Sequence, residues 1–368
     1  MAVTPVQAEL ESVPVARSRG ADARARIAGV WARPVTRAVL KAVLTIWTTI
    51  TLTFFLIRLM PGNPVDLKID EIMREGAHTY DEARVLASSL FRIDLSRPFH
   101  EQYLEYIADV ARADLGTSFL SAGTPVTAII LSVLPWTLFA VGTGLFLSFL
   151  VGVGLGILAA YKRGGIADNL ATTIGSIVSS VPNYLVALLI ILVLGVQLRW
   201  LPITRMRGAY SPGIEPGFTA DFIGDVLFHA ALPISVFFLA TIGHWILSMR
   251  GATLAALEED YVNAARARGI GDARIATAYV GRNAILPLVS QLAIAAGAAV
   301  GGAVFIEQVF VYQGMGLRLV KAIDQRDYPV MQGIVLVTTV AIVVANLIAD
   351  LVYSRLDPRI GRAGGSSG

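Results

Sequence analysis

The chain has 368 residues, of which 55% are hydrophobic and only 15% charged, and its mean hydropathy is +0.65. Soluble domains carry about 25% charged residues, so this composition indicates a protein whose solvent is largely lipid. The net charge of +3 gives no reason to expect nucleic acid as a partner, and the absence of cysteine excludes disulfides, thiolate metal sites and cysteine nucleophiles.

The first 38 residues are polar and rich in Ala and Arg, and they lack the short apolar core of a cleavable signal. We predict that residues 1–38 form a disordered cytoplasmic tail. An Arg-rich transit peptide is the alternative, which Glu9, Glu11 and Asp22 disfavour. Residues 354–368 are predicted to form a second cytoplasmic tail, whose final Gly-Gly-Ser-Ser-Gly is typical of a linker.

Six apolar stretches reach the roughly 20 residues that a helix needs to cross about 30 Å of hydrocarbon. The sequence therefore predicts an all-α integral membrane protein. The first span is followed by a long polar segment, residues 61–127, and the other five spans form a predicted membrane core over residues 128–353. The six stretches are residues 39–60, 133–160, 171–196, 230–248, 286–307 and 330–353.

An even number of spans places both termini on one side of the membrane. Six arginines before the first span favour the cytoplasm for that side, because cytoplasmic loops are enriched in Lys and Arg. A short loop with Lys162 and Arg163 agrees with this orientation. However, Arg318, Lys321 and Arg326 fall in a short loop on the opposite side, so the charge rule alone does not fix the orientation.

The outer segment, residues 61–127, contains a helical pattern in which Phe99, Tyr103, Ile107 and Val110 recur every three or four residues. This periodicity predicts a folded helical cap outside the membrane rather than a tether. A second outer loop, residues 197–228, is rich in Pro and Gly and is predicted to be irregular.

Pairs of small residues occur at helical spacing inside the predicted core. Gly152 and Gly156 lie four residues apart, as do Gly297 and Gly301. Such pairs allow two helices to approach closely in lipid. Tight packing within this chain and a contact with another subunit explain them equally well.

Few polar side chains lie within the predicted spans. His244 lies within the fourth predicted span, and an ionisable side chain inside a membrane is by default a candidate for a functional role. A hydrogen bond to a neighbouring helix is a simpler explanation for it. Asn346 and Asp350 share one helical face, where they suit either an ion site or an interfacial anchor. The candidates to line a transport pathway are His244, Gln291, Glu307 and Gln308. A packing role explains each of them equally well.

Several enzyme classes are excluded by inspection. The sequence contains no P-loop, no G-x-S-x-G elbow and no H-E-x-x-H zinc motif. We therefore predict that the chain is not an enzyme and that ATP hydrolysis, if it drives the function, takes place in a partner.

A polar cassette, EEDYVNAARARGIGDARIATAYVGRNAILP, follows the fourth span within a predicted coupling loop over residues 249–285. Its acidic start suits the positive end of a helix, and Ala and Arg are strong helix formers. Gly269 is predicted to end this helix, and Asp272 to N-cap a second one that ends near Arg282. These residues alone fit two hypotheses for the cassette equally well. It either docks into a groove on a partner protein or connects two spans while touching only lipid headgroups.

The segment NAARARGIGDARIATAYVGRNAILP resembles the E-A-A loop of ABC importer permeases through Ala264, Ala265, Gly269 and the Ile-Leu-Pro at residues 285–287. Asn263 stands where the family usually has Glu. FFLIRLMPGNPVD, EQVFVYQGMG and NLIADLVYSRLDPRI resemble other parts of the dipeptide, oligopeptide and nickel branch, and the likeness covers about residues 39–360. Gln313 replaces the proline that is common before the first glycine of VYQGMG.

This resemblance implies the six-helix type I permease fold in the bacterial cytoplasmic membrane. It implies several partners: a second homologous permease, two ATP-binding subunits or one fused pair, and an extracytoplasmic substrate-binding protein. ATP and Mg would then bind to the partners and not to this chain. Peptides are the favoured cargo, a nickel chelate is the alternative within the family, and a gradient-driven carrier is the alternative from another class. The implied ATPase-coupling positions are Glu259, Asn263, Ala264, Ala265, Arg266, Arg268, Gly269, Ile270, Gly271 and Asp272.

Overall fold

The computed structural model describes residues 34–59, 69–70, 72–74, 76, 79–91, 98–121 and 123–356. Within these residues the backbone forms helices and turns, and no strand is present. Most of the two predicted cytoplasmic tails lies outside the described residues.

The helices are numbered here in chain order. Two of them contain a stretch of π-helix, Ile191–Gln197 in α6 and Ile275–Gly281 in α9. Their bounds are α1 Pro34–Leu59, α2 Tyr80–Phe91, α3 Phe99–Ala111, α4 Val126–Tyr161, α5 Ile166–Ser180, α6 Asn183–Gln197, α7 Ala220–Leu257, α8 Asp260–Ala267, α9 Asp272–Ala284, α10 Leu286–Phe310, α11 Met315–Asp324 and α12 Tyr328–Leu356.

In the described part of the chain, four helices are long and apolar enough to cross a membrane: α1, α4, α7 and α12. Two bent pairs, α5 with α6 and α9 with α10, also pass the same test of length and composition. If each pair forms one span, the total is six. The predicted all-α membrane fold is confirmed.

The predicted third span, residues 171–196, is broken by a sharp bend and is not one straight helix. α5 ends at Ser180, and Val181 and Pro182 have extended ψ angles of 125° and 140° before α6 begins. Proline fixes its own φ and disfavours the helical conformation of the preceding residue. The two helix axes therefore differ by 99°, a bend that average hydropathy does not detect.

The predicted irregular loop over residues 197–228 is also too long. α7 begins at Ala220, where the backbone N–H of Phe222 donates to the hydroxyl of Thr219 at 3.3 Å. This side-chain cap satisfies one of the free donors at a helix N-terminus. The irregular part is therefore shorter than its Pro and Gly content suggested.

The most extensive contact between two helices is that of α4 with α7. Glycines on α4 make it possible, because a Cβ atom on Gly152 would lie 2.5 Å from the Cβ of Trp245. A Cβ on Gly156 would lie 2.7 Å from the carbonyl oxygen of Ile246. These two glycines therefore face a helix of the same chain.

The second glycine pair is divided between two environments. A Cβ on Gly297 would lie 3.2 Å from both Ile342 and Ala345 on α12. Gly301, one turn further along α10, is exposed, and a Cβ there would meet no atom of the described residues within 4 Å. Packing within this chain accounts for Gly297 but not for Gly301.

The cap helix α3 packs on the first span through an aromatic cluster. Phe54 of α1 is fully buried, with its ring 5.2 Å from that of Tyr103 and 5.4 Å from that of Tyr106. The hydroxyls of Thr51 and Tyr103 share a hydrogen bond of 2.7 Å. The helical pattern that predicted α3 is confirmed, and this helix is attached to the side of α1.

We expect Gly152→Ala to lower the free energy of unfolding by about 1–3 kcal/mol, because the new methyl group overpacks the contact with Trp245. Gly154→Ala in the same helix is the matched control, since a Cβ there would meet no described atom within 4 Å. It should be neutral or stabilising by up to about 1 kcal/mol, the difference in helix propensity. Unfolding of the purified chain in mixed micelles measures both, and equal stabilities would contradict this packing.

Candidate functional site

The polar cassette folds into a helix, a left-handed turn and a second helix, which we call the elbow (residues 258–284). Glu259 is the N-cap residue of α8, and Asp260 lies in its first turn. These carboxylates stand at the positive end of the helix, as expected from the charge pattern. The first helix is short, and its direction is set by the turn that follows.

Gly269 determines the turn of the elbow. Its φ is +74°, and its N–H donates to the carbonyl of Arg266 at 2.9 Å. The next N–H, that of Ile270, donates to the carbonyl of Ala265 at 3.2 Å. These two bonds make a Schellman motif, which normally requires glycine at this position. The first helix thus ends at the glycine from which its end was predicted.

Asp272 was predicted to be an N-cap residue, and this prediction is wrong. Gly271 occupies the N-cap position, and its carbonyl accepts the N–H groups of Arg274 and Ile275 at 3.0 and 3.1 Å. The helix begins one residue early because the extended glycine already supplies the first carbonyl. Asp272 is the first helical residue, where its charge still favours the helix N-terminus.

One side of the elbow is buried in the membrane core. Its anchors are Val262, Ala265, Ile275 and Val280, all of them buried. Only Ala265 belongs to the positions predicted from sequence; the three-residue spacing of Val262 and Ala265 was the available signal for an inward face. The anchors share one apolar cluster with residues of α4, α7 and α10, among them Leu145, Val153, Trp245, Met249 and Leu288.

The other side of the elbow is exposed. Of the ten predicted coupling positions, Ala265 is buried, Ile270 is half-buried, and the remaining eight are exposed. Ala264, Arg266 and Arg268 are among these exposed residues. A displacement of this exposed side must move the buried side with it, because α8 is only two turns long.

Two of the four pathway candidates belong to an exposed stripe along α10. Gln291 and Gln308 lie near its two ends. The residues between them recur every three or four positions, which is the spacing of one helical face. The whole stripe is Gln291, Ile294, Ala298, Gly301, Phe305 and Gln308.

His244, the third pathway candidate, is exposed on α7. Its ring lies edge-on to the ring of Trp245, with the centroids 5.0 Å apart. The simpler role considered for this histidine was a hydrogen bond to a neighbouring helix, and no such bond is present among the described residues.

Glu307, the fourth candidate, is only 1% exposed and does not meet water in this chain. Its carboxylate accepts hydrogen bonds from the hydroxyl of Thr137 at 2.6 Å and from the N–H groups of Gly316 and Leu317 at 2.7 and 3.1 Å. The N–H of Met315 donates to the Thr137 hydroxyl at 2.8 Å. Glu307 therefore caps α11 and joins it to α4, a pairing across 170 residues that no local pattern indicates.

Comparisons with known proteins identify the family of this chain. Residues 152–362 match the family described as the binding-protein-dependent transport system inner membrane component. The chain belongs to this family. The predicted recognition as an ABC importer permease is confirmed, and the chain is a transport component that crosses the inner membrane several times.

Curated relatives are similar over most of their length. The di/tripeptide transport system permease protein of Pseudomonas aeruginosa is 34% identical, over 84% of this chain and 93% of its own length. The oligopeptide transport system permease protein of Bacillus subtilis and the dipeptide transport system permease protein of Escherichia coli are each 31% identical, with the same coverage. The similarity thus includes the cap region that precedes the matched family segment.

Gly269→Ala should open the elbow, because a non-glycine residue in the left-handed region costs about 1–2 kcal/mol. The effect is purely conformational, since a Cβ at this position meets no described atom within 4 Å. Trypsin cleavage after Arg266 and Arg268 should become faster by a factor of about 5–30 in the purified permease.

Gly271→Ala is the matched control for this experiment. Gly271 also has open space around its Cβ position, but its φ of −64° suits any residue. Trypsin should cleave the Gly271→Ala variant at the same rate as the unchanged chain. Identical rates for the two variants would contradict the left-handed turn.

Proposed function

We propose that this chain is the permease subunit of an ATP-driven importer for dipeptides or oligopeptides and forms half of the translocation pathway. The observation that carries the proposal is the two-sided elbow, exposed at Ala264 and buried at Ala265. The relatives named as peptide permeases support the cargo. A surface connector would need an exposed polar side, but not an inward side packed against three membrane helices.

The exposed side of the elbow docks into a groove on an ATP-binding subunit. Small side chains at Asn263 and Ala264 let α8 enter the groove, and Arg266 and Arg268 face acidic or polar groups along its rim. When ATP closes the two ATPases, the coupling elbows of the two permeases are drawn together. Val262 and Ala265 then displace the ends of α4, α7 and α10, which is a rigid-body transition between two packed states.

The orientation follows from this docking. The elbow end of the helix bundle faces the cytoplasm together with both termini. The cap, the loop between α6 and α7, and α11 face outward, where a substrate-binding protein delivers the cargo. The domain boundaries predicted from sequence remain our assignment: tails at residues 1–38 and 354–368, a first span at 39–60, an outer segment at 61–127 and a core at 128–353.

The exposed stripe on α10 and His244 on α7 are proposed to line the pathway, which is completed by a second, homologous permease. A wide channel between two subunits leaves its lining residues exposed in the isolated chain, and Gln291 and Gln308 are exposed among the described residues. Glu307 does not line the pathway in this assignment, because it is enclosed between α4, α10 and α11.

ATP and Mg belong to the ATP-binding partners, which are two subunits or one fused pair. Among the described residues, no group of three or more His, Asp or Glu side chains is arranged to hold a metal ion. Transport of a nickel chelate would not require metal ligands in this chain. An uptake experiment therefore has to distinguish nickel from peptide cargo.

Ala264→Trp should weaken the association with the ATP-binding subunit. The bulky side chain overpacks the groove, at a cost of about 1–3 kcal/mol or more, so binding should weaken by about tenfold. Copurification of the ATPase with the tagged permease, and uptake of a labelled dipeptide in cells, measure the effect.

Ala255→Trp is the control, an exposed alanine on α7 outside the elbow. Both variants should keep the thermal stability of the unchanged chain, since neither position is buried. Normal uptake by a correctly inserted Ala264→Trp variant would contradict docking through this side of α8.

Deletion of the gene should remove ATP-dependent uptake of labelled dialanine, and the intact gene supplied in trans should restore it. Radioactive nickel is offered in parallel to the same cells. Loss of nickel uptake with unchanged dipeptide uptake would assign the nickel alternative. Uptake that persists without ATP and stops when the ion gradients are collapsed would indicate a secondary carrier.

A further inference from the structure

The apolar cluster behind the elbow contains residues of α4, α7 and α10 but none of α5 or α6. The bent pair α5–α6 is therefore not moved directly by the elbow. α5 makes its most extensive helix contact with α7, the helix that leads into the elbow. The bent pair also packs on α4 and α10, so its contact with α7 is the most extensive of several routes by which a displacement can reach it.

An ion pair joins α5 to α7 near the elbow end. The guanidinium of Arg250 donates from Nε to Oδ1 of Asp168 at 2.5 Å and from Nη2 to Oδ2 at 3.0 Å. The carboxylate is 3% exposed and also accepts the N–H of Gly164 at 2.9 Å and the hydroxyl of Thr172 at 3.3 Å. Its geometry is that of a bidentate carboxylate–guanidinium pair, which fixes orientation as well as distance.

A second contact joins the same two helices. A Cβ on Gly243 would overlap the carbonyl oxygen of Gly175 and would lie 3.1 Å from the N–H nitrogen of Ser179. The two backbones thus touch with no side chain between them. Such a crossing lets one helix pivot on the other, because it fixes one point of contact only.

The ion pair prevents this pivoting. Asp168 lies seven residues from Gly175, and Arg250 lies seven residues from Gly243. On both helices the ion pair is therefore about 10 Å along the axis from the glycine crossing. Two contacts this far apart fix the angle between α5 and α7.

We propose that Asp168 and Arg250 are positioning residues of the transport cycle, which make α5 move together with α7 when the elbow is displaced. Buried ion pairs contribute little net stability compared with well-packed apolar side chains, so stability alone does not explain this one. The proposal rests on the proposed function, because it takes the elbow as the source of the movement. It assigns the bent pair α5–α6 to the moving part of the permease.

The first test measures coupling in the complete importer, in membranes that contain all its subunits. The variants are Asp168→Asn, Arg250→Gln and the double substitution, with Asp109→Asn as the control. Asp109 also pairs with an arginine, Arg112, but on the exposed cap helix. ATP hydrolysis and uptake of labelled dialanine are recorded together.

We expect the ATP consumed per dipeptide to rise roughly tenfold in each single variant, which is the size of a typical coupling interaction. The double variant should be less impaired than the singles, since it leaves no unpaired buried charge. The control should match the unchanged importer. A merely structural role would lower the amount of folded permease and leave this ratio unchanged, and that result would overturn the proposal.

The second test does not depend on cargo or ATPase. The chain has no cysteine, so spin labels can be attached at Ala267→Cys on α8 and Ile177→Cys on α5, both exposed positions. Pulsed electron paramagnetic resonance then reports the distance between elbow and α5 in lipid nanodiscs. We expect one narrow distance in the chain with the ion pair and a broadened or shifted distribution with Asp168→Asn.

The two tests separate failure of the proposal from failure of the proposed function. An equally narrow distance in the Asp168→Asn variant would overturn the link between α5 and α7. A broadened distance in an importer that does not respond to ATP would support the link and would contradict the ATP-driven function.

Discussion

The direct contact of α7 with the helices on either side of it is the constraint on which this structure depends. Lipid supplies no hydrophobic force between helices, so association relies on close packing and hydrogen bonds. Gly152 and Gly156 let α4 approach one side of α7, and Gly243 meets Gly175 of α5 on the other. α6, α10 and α12 contact this trio, whereas α1 packs on α12, and the elbow follows the end of α7. A larger side chain at these crossings would separate the three helices.

The two ends of the bundle are held by different interactions. At the cap end, buried carboxylates fix both ends of α11: Glu307 caps its start, and Asp327 after its last turn accepts the hydroxyl of Ser118 at 2.5 Å and the N–H of Phe119 at 3.1 Å. The elbow itself contacts the core through apolar side chains such as Val262 and Ile275. Hydrogen bonds to a buried carboxylate are directional and costly to break, whereas apolar contacts are not directional. Among these contacts, those of the elbow can therefore be repacked with the least loss of directional bonding, whereas the nearby Asp168–Arg250 pair cannot.

The sequence predicted what depends on composition and short spacing. Long apolar runs predicted the helical membrane fold, Phe99 and Tyr103 predicted the cap helix, and Gly269 predicted the turn of the elbow. The bend at Pro182 was missed because hydropathy averages over it, although the proline itself was a visible signal. The partners of Glu307 and Asp168 lie 170 and 82 residues away, so their burial and pairing leave no periodic pattern in the chain. Partners and cargo were expected only from the family resemblance. A wide pathway needs few specific side chains in one subunit, so the residues themselves do not identify the cargo.

Ala264 and Ala265 are neighbours, yet one faces outward and the other is buried against the membrane core. In the proposed docked arrangement neither can be enlarged, the first because of the partner's groove and the second because of the chain's own helices. The exposed margins of α8, at Arg266 and Arg268, would be less constrained by this packing. In a cell that contains several such importers, the choice of the cognate ATPase would be encoded in those few marginal side chains.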